Sequence, residues 1–519
     1  MKAVATNPIL SGFYPDPSIV RANDDYYILN SSFAYFPGLP IMHSKDLANW
    51  HQIGNVLCND KSLPLDGTGL SQGLFAPTIR YHEGKFYVVC TNITKGGNFI
   101  VTADDINGPW SEPVYIKGAD GIDPSIFFDD DGKCYYIGTH PNPEGEKYSG
   151  DYYIYIGELD SKTFQFCGEK VNVWNGSMRN IIWPEGPHLY KKDDYYYIMH
   201  AEGGTGPNHC EAVCRSKSLF GPYENNMNNP IITHRDMGSQ YPVQYVGHAD
   251  LVETPAGEWF MVMLGVRRTE GFTTIGRETF LAKVIWENGW PVVNPGVAKL
   301  TSIVDTGLEE VLWDDDVKAS KDYDFTSMNK IGPEFLTLRN EQQDRYELTQ
   351  KGLAMKASKL PITEESNPSY LGLRVQDHAF KASVSVCHNI YDEAVTKGLV
   401  LMQNESFSLR LLLKGKEVCA VLRQDKKDKV LGSVNVMDLV TADSNEVSVT
   451  LKIEVNGLIA KASAFIGGKE TVFDEADIRA LSTEIAGGFV GCTVGMFAFD
   501  NTGKDLDNEA VFTNFKYEA

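Results

Sequence analysis

The chain has 519 residues, room for two to four domains at about 150 residues each, and for two if they are all-β. Against 47 Lys+Arg stand 69 Asp+Glu, a formal net charge of −22, which argues against a phosphate backbone or an anionic membrane surface as partner. Hydrophobic residues are 42% and charged residues 22%, close to globular averages, so global disorder is excluded.

The 25 Tyr, 25 Phe and 8 Trp, set among 47 Gly and 24 Pro, point to an all-β chain able to stack flat ligands such as sugar rings. The nine cysteines are odd in number and form no CxxC pair, so neither a disulfide framework nor a zinc ribbon is expected. The opening MKAVATNPILSGFYPDPS has no apolar leader core, and no run of about 18 apolar residues follows. A cytoplasmic location is therefore expected, although a chain trimmed of a leader would read the same way.

Five segments then share one pattern of a small or acidic residue, usually Pro, an apolar strand, a polar turn and an aromatic strand. They are DPSIVRANDDYYIL from Asp16, APTIRYHEGKFYVV from Ala76, DPSIFFDDDGKCYYI from Asp123, GPHLYKKDDYYYIM from Gly186 and HADLVETPAGEWFMVM from His248. Each reads as a hairpin. The rest of each repeat can hold two more strands, as in IMHSKDL before NWHQIG. Four strands in each of five repeats predict a five-bladed β-propeller over residues 1–305. Residues 306–321, polar and aperiodic, read as a connector. From 322 to 519 the chain alternates apolar and polar residues in strands such as FKASVSVCHN and VSVTLKIEVNG, which predicts a β-sandwich.

A propeller brings the first strand of every blade to its axis, so the repeat starts should ring one pocket. They are Asp16, Ala76, Asp123, Gly186 with Glu185 before it, and His248. A single Asp-Pro dipeptide merely starts a turn, but three acids in register are not what packing would choose. Carboxylates around an aromatic pocket suit glycosidic cleavage: one acid protonates the leaving oxygen and one carboxylate activates water or attacks the anomeric carbon. Phe33, Phe36, Phe75 and Trp183 lie nearby in sequence to stack a sugar. Arg277 is placed to hold its hydroxyls or a neighbouring carboxylate.

These segments resemble glycoside hydrolase family 43. The opening NPILSGFYPDPSIVRANDDYYIL, then GIDPSIFFDDDG, WPEGPHLYKKDDYYY, VGHADLVET and GRETFLAKVIWENGWPV follow in the family's order, and the C-terminal part resembles the sandwich of its β-xylosidase and α-L-arabinofuranosidase branches. The resemblance implies an exo-acting, inverting hydrolase that removes β-D-xylose, α-L-arabinofuranose or both from xylan- or arabinoxylan-derived oligosaccharides. It implies Asp16 as general base, Glu185 as general acid and Asp123 as the carboxylate that orients the acid and raises its pKa. Phe33, Phe75 and Arg277 would bind substrate. His248 would be the axial histidine, which in many members lies near a calcium ion or a water cluster, so a structural Ca2+ is an expectation, with no cofactor needed for the chemistry. Xylo- or arabino-oligosaccharides are the expected partners, without nucleic acid or membrane, and homo-oligomerisation stays open. Two departures stand out. Phe75 takes a place where many family β-xylosidases have Trp, and Thr493 of GCTVGM takes the place of a Phe that the sandwich lends to the pocket. Together they imply a differently shaped, more open rim and give weight to arabinofuranose. The alternatives kept are an endo-arabinanase-like hydrolase and a non-catalytic carbohydrate-binding propeller.

Overall fold

The computed structural model describes the chain except residues 60–61, 319, 341–342, 441–444 and 504–507. Among the described residues no helix precedes Gln343. Five antiparallel sheets of four or five strands follow one another, each blade ordered from axis to rim in chain order. The innermost strands are Ser18–Ala22, Thr78–His82, Ile122–Phe128, Glu185–Lys192 and Val243–Glu253. All five begin the hairpins that the sequence repeat marks out.

The turn residues explain why these hairpins form. Asn23 (φ 58°), Glu83 and Gly84 (48° and 82°), Gly132 (80°), Asp193 and Asp194 (49° and 63°) and Gly257 (79°) all take left-handed backbone at the hairpin tips. Tight antiparallel turns require that conformation, and Asn, Asp and Gly adopt it at the lowest cost. Alternation then places one side of each strand against the next blade. Val89, Ile126, Tyr136 and Tyr155, for example, pack blades two and three together.

The ring closes where the chain begins. Lys2–Thr6 pairs antiparallel with Ile303–Glu309, and Asn7 exchanges two hydrogen bonds of 2.8 Å with Leu281 in blade five. Farther along, Tyr14 N–H donates to the Arg277 carbonyl (3.0 Å), and Thr279 Oγ1 donates to the Tyr14 carbonyl (2.6 Å). This stitching departs from the reading of 306–321 as an aperiodic connector. The strand that closes the propeller runs across residue 305 to Glu309, and Lys321–Asp324 is already a strand of the sandwich, paired with Glu509–Glu518. The partner of the closing strand lies some three hundred residues away in sequence, so local patterning does not reveal it.

The C-terminal part packs a nine-stranded sheet on a six-stranded one around a core that includes Leu353, Val384, Leu399, Leu411, Leu451 and Phe515. The two parts are joined by more than a linker. Thr337–Leu338 pairs with Tyr35–Phe36 of blade one, so Phe36 serves this seam and the blade core rather than the pocket. Arg339, fully buried, donates to the carbonyls of Thr68 (2.6 Å) and Ser366 (2.7 Å) and pairs with Glu405. Burial of an arginine is tolerable only when its donors are satisfied in this way. The seam therefore joins the sandwich to one side of the propeller through strand pairing and a buried, ion-paired arginine.

Candidate active site

The repeat starts do meet at the axis, and their backbone shows how. Asp16 (φ 52°), Asp123 (φ 53°), Gly186 (φ 58°) and His248 (φ 53°) all sit in the left-handed region. Strand pairing slips in register at Ile122/Ser125, Glu185/His188 and Gly247/Ala249. Each slip is a bulge that turns a side chain out of the pleat and into the axial pocket. A non-glycine residue in this conformation costs on the order of 1–3 kcal/mol and persists only where the surroundings hold it. Ala76, the start of blade two, is not among the left-handed residues, and it brings no functional group.

One pleat below, a second polar layer ties the blades together. Asp250 accepts from Ser18 Oγ (2.7 Å), Arg80 Nη1 (2.8 Å) and Tyr190 OH (2.6 Å). Arg80 Nη2 meets His188 Nδ1 at 2.9 Å, which in turn lies 3.1 Å from Ser125 Oγ. Ser18, Ser125 and Asp250 each lie two residues after Asp16, Asp123 and His248, so this network ties together the strand starts that carry the upper layer.

In the upper layer Asp16 is buried and doubly held: its Oδ1 accepts from Arg277 Nη1 (2.7 Å) and its Oδ2 from Ser31 Oγ (2.5 Å). His248 Nδ1 lies 3.9 Å from Asp16 Oδ1. The amide of Ala249, next to His248, donates to buried Glu211 Oε2 (3.1 Å). Asp123 Oδ2 accepts from the Gly186 amide (3.1 Å), which places it beside Glu185. Burial pushes the Asp123 carboxyl above its ordinary range and Asp16 adds to this, against the opposing pull of His248, the Gly186 amide and Arg277. The effect is stronger at Glu185: burial, then the nearby Asp123 and Asp16, hold its carboxyl well above the usual range despite Arg277. Like charges crowded into one buried pocket resist ionising together, which favours the protonated form of Glu185. The site thus pairs a carboxyl biased toward its acid form with one held by a guanidinium.

The aromatic side of the pocket differs from the sequence reading. Phe33 is 1% exposed and offers a sugar almost no surface; it is the backing for other groups. Its ring meets Phe75 edge-on at 5.7 Å and lies nearly parallel to Phe489 at 6.2 Å. Phe75, half-buried, meets Phe489 at 5.9 Å. The Arg277 guanidinium sits 5.8 Å from the Phe33 ring and 5.5 Å from the Phe489 ring. Phe489 comes from the sandwich. Its amide donates to Ser71 Oγ of the propeller (2.9 Å), and its loop is held by Gln403 Nε2 through the carbonyls of Gly487 and Val490.

Thr493 is therefore not the residue at the rim. It is fully buried inside the sandwich, where Tyr370 OH donates to its Oγ1 (2.7 Å). The motif that reaches the pocket is GGFVG at 487–491, four residues earlier, and the more open rim expected from Thr493 does not exist. Thr205 also escaped sequence reading: its Oγ1 lies 3.3 Å from the Arg277 Nη1 that holds Asp16. The glycine-rich stretch GGTGPNH around it gives only a turn signal.

A calcium ion beside His248 would draw little of its shell from acidic side chains. Calcium takes six to eight oxygen ligands, backbone carbonyls and waters included; among the described residues no three His, Cys, Asp or Glu side chains converge in a metal-binding group, so carbonyl and water oxygens would have to make up the shell. The carboxylate in ion-pair range of His248 is Asp16, already taken by Arg277 and Ser31.

A family model described as "Glycosyl hydrolases family 43" matches residues 5–291, and one described as "Beta xylosidase C-terminal Concanavalin A-like domain" matches residues 322–518. The chain is similar to a xylosidase/arabinosidase of Butyrivibrio fibrisolvens, at 46% identity over 99% of both chains. It is also similar to a non-reducing end α-L-arabinofuranosidase of Bacteroides ovatus, at 38% identity over 99% of this chain and 94% of that one. Among solved structures, a Bacteroides ovatus protein described as "Xyloglucan PUL GH43B" superposes with a TM-score of 0.89 at 35% identity, covering 99% of this chain and 100% of that one. A xylan β-1,4-xylosidase from Bacillus halodurans superposes with a TM-score of 0.87 at 29% identity, again over 99% and 100%.

Proposed function

The chain belongs to glycosyl hydrolases family 43, and on that premise we propose that it is an exo-acting, inverting glycosidase releasing terminal β-D-xylose and α-L-arabinofuranose from xylan- or arabinoxylan-derived oligosaccharides. The observation that carries the reading is the contrast between the carboxyls. Burial, then Asp123 and Asp16, hold the Glu185 carboxyl well above its usual range, while Asp16 is paired with Arg277. In this reading Asp16 takes a proton from a water molecule as that water attacks the anomeric carbon. Glu185 gives its proton to the departing oxygen in the same step, and Asp123 keeps Glu185 protonated and aligned. One displacement inverts the anomeric centre. The pentose choice follows the relatives, described as xylosidase/arabinosidase and as non-reducing end arabinofuranosidase. The domain-spanning wall of Phe75 and Phe489 supports an exo mode, because it closes one side of the pocket around a terminal residue.

Side-by-side turnover of nitrophenyl β-D-xyloside, nitrophenyl α-L-arabinofuranoside and linear arabinan tests the assignment. Both glycosides are expected to be cleaved, and arabinan to yield only monosaccharide if it is attacked at all. Internal cleavage of arabinan with both glycosides untouched would overturn the reading in favour of an endo-acting enzyme.

Phe489 offers a separate check on the domain-spanning pocket. Phe489→Ala removes a sugar-facing ring without touching a carboxylate, so KM for both glycosides should rise about tenfold with a smaller change in kcat. An unchanged KM would mean that the sandwich contributes nothing to substrate binding.

A further inference from the structure

Two residues before Glu185 stands a tryptophan in a backbone conformation that its own sequence disfavours. Trp183 has φ 47°, left-handed backbone that bulky side chains avoid. It also precedes Pro184, whose ring pushes the residue before it toward extended backbone. Such a conformation costs on the order of 1–3 kcal/mol, persists only where the surroundings hold it, and clusters at ligand clamps.

The surroundings that hold it are two loops. The Trp183 amide donates to the Gly150 carbonyl (2.8 Å), and the Gly203 amide donates to the Ile182 carbonyl (2.9 Å). Tyr148 OH donates to the Ile181 carbonyl (3.0 Å). Residues 181–183 are thus clasped between the hairpin loop of blade three and the loop that follows Tyr195–Glu202 in blade four. Both loops set a glycine against the indole. A Cβ on Gly150 (φ 82°) would come within 3.0 Å of Cε2 and Nε1, and one on Gly204 (φ 69°) within 2.5 Å of Cε3. The ring is gripped at two edges and still keeps exposed surface.

This cradle borders the active site. Gly204 precedes Thr205, whose Oγ1 lies 3.3 Å from the Arg277 Nη1 that holds Asp16. Tyr152, also part-exposed, opens the strand Tyr152–Leu159 directly after the blade-three loop. Burial pushes its phenol up, and the charges of Glu146, Glu185 and Asp123 add to this, so it stands near the acid. In a single displacement the oxygen that Glu185 protonates stays with the leaving residue. That residue therefore lies on the Glu185 side of the pocket, where the flanking side chains are Trp183 and Tyr152. Aromatic rings offer sugars apolar area with little side-chain freedom to lose, and a phenol adds a polar handle.

Resting on the assignment of Glu185 as the acid, we propose that Trp183 and Tyr152 bind the leaving sugar, a xylopyranose residue for both activities. The Trp183 ring takes the C–H face of the pyranose, and Tyr152 OH bonds a ring hydroxyl. Xylopyranose lacks an exocyclic hydroxymethyl group, so its faces are flat enough for this contact. The terminal sugar is held separately, against Phe75 and Phe489.

Initial-rate kinetics on the full chain with xylobiose and methyl β-D-xyloside isolate the leaving side, because the two substrates share the released sugar and differ only in what departs. Trp183→Ala is expected to lower the ratio of kcat/KM for xylobiose to that for methyl β-D-xyloside about tenfold, mainly through KM for xylobiose. Tyr152→Phe should lower the same ratio a few-fold, as the loss of one hydrogen bond implies. Trp183→Phe should keep most of it. Should Trp183→Ala fail to fold, Trp183→Leu retains bulk without a flat ring and carries the same expectation. A ratio unmoved at either position would overturn the proposal, and equal losses on both substrates would mean that Trp183 merely supports Glu185. Failure of the unaltered chain to cleave either xyloside would instead remove the reading of the active site, and this proposal with it.

Discussion

Glu185→Gln is expected to lower kcat/KM roughly 10²–10⁴-fold on oligosaccharides, the range that general acid catalysis supplies, and far less on aryl glycosides whose leaving groups depart without a proton. Glu and Gln being nearly isosteric, loss of the proton is the only large change in the pocket. Equal losses on both substrate classes would give Glu185 some other role. Its pH behaviour provides the companion measurement. Activity needs the protonated form, so turnover falls as pH rises through the Glu185 pKa and is retained below it. Burial holds that pKa up, and the Asp123 charge is the next contributor. Asp123→Asn removes that charge, so the alkaline limb of the kcat/KM profile should move to lower pH. A limb that stays in place would mean that Asp123 does not sustain the acid.

The second large effect is at Asp16. Asp16→Ala should reduce turnover by about 10⁴-fold, since it removes the group that takes the water's proton, and added azide should restore part of it by occupying the vacated space as a nucleophile. Arg277 would then lose the carboxylate it holds at 2.7 Å, so a loss confined to KM would point instead to a substrate-binding role for the pair. With the unaltered chain, proton NMR of the first sugar released should show the anomeric configuration opposite to that of the substrate. Retention would make Asp16 a nucleophile that forms a covalent intermediate.

The substitutions at Phe489 and Asp16 act on one connected structure. Asp16 is fastened to blade five through Tyr14, Thr279 and Arg277, and Arg277 faces the ring that the sandwich contributes.

The sequence by itself determined whatever recurs locally. Five hairpins with Asn, Asp or Gly at their tips specify five blades, because left-handed turns and period-two alternation are properties of short stretches. The shared register of Asp16, Asp123, Glu185 and His248 followed directly, since equivalent strands of a propeller share one axis. Tertiary structure alone decided what depends on partners far apart in the chain. The closing strand Ile303–Glu309 has no repeat of its own and is defined only by Lys2–Thr6. Phe33 carries the composition of a sugar platform but is covered by neighbours that no local pattern names. Thr493 and Phe489 lie four residues apart in one loop-and-strand segment, and which of them reaches the pocket depends on where that loop docks on Ser71 and Gln403. Local propensity sets strands and turns, whereas the exposure of a side chain is set by whatever the whole fold packs against it.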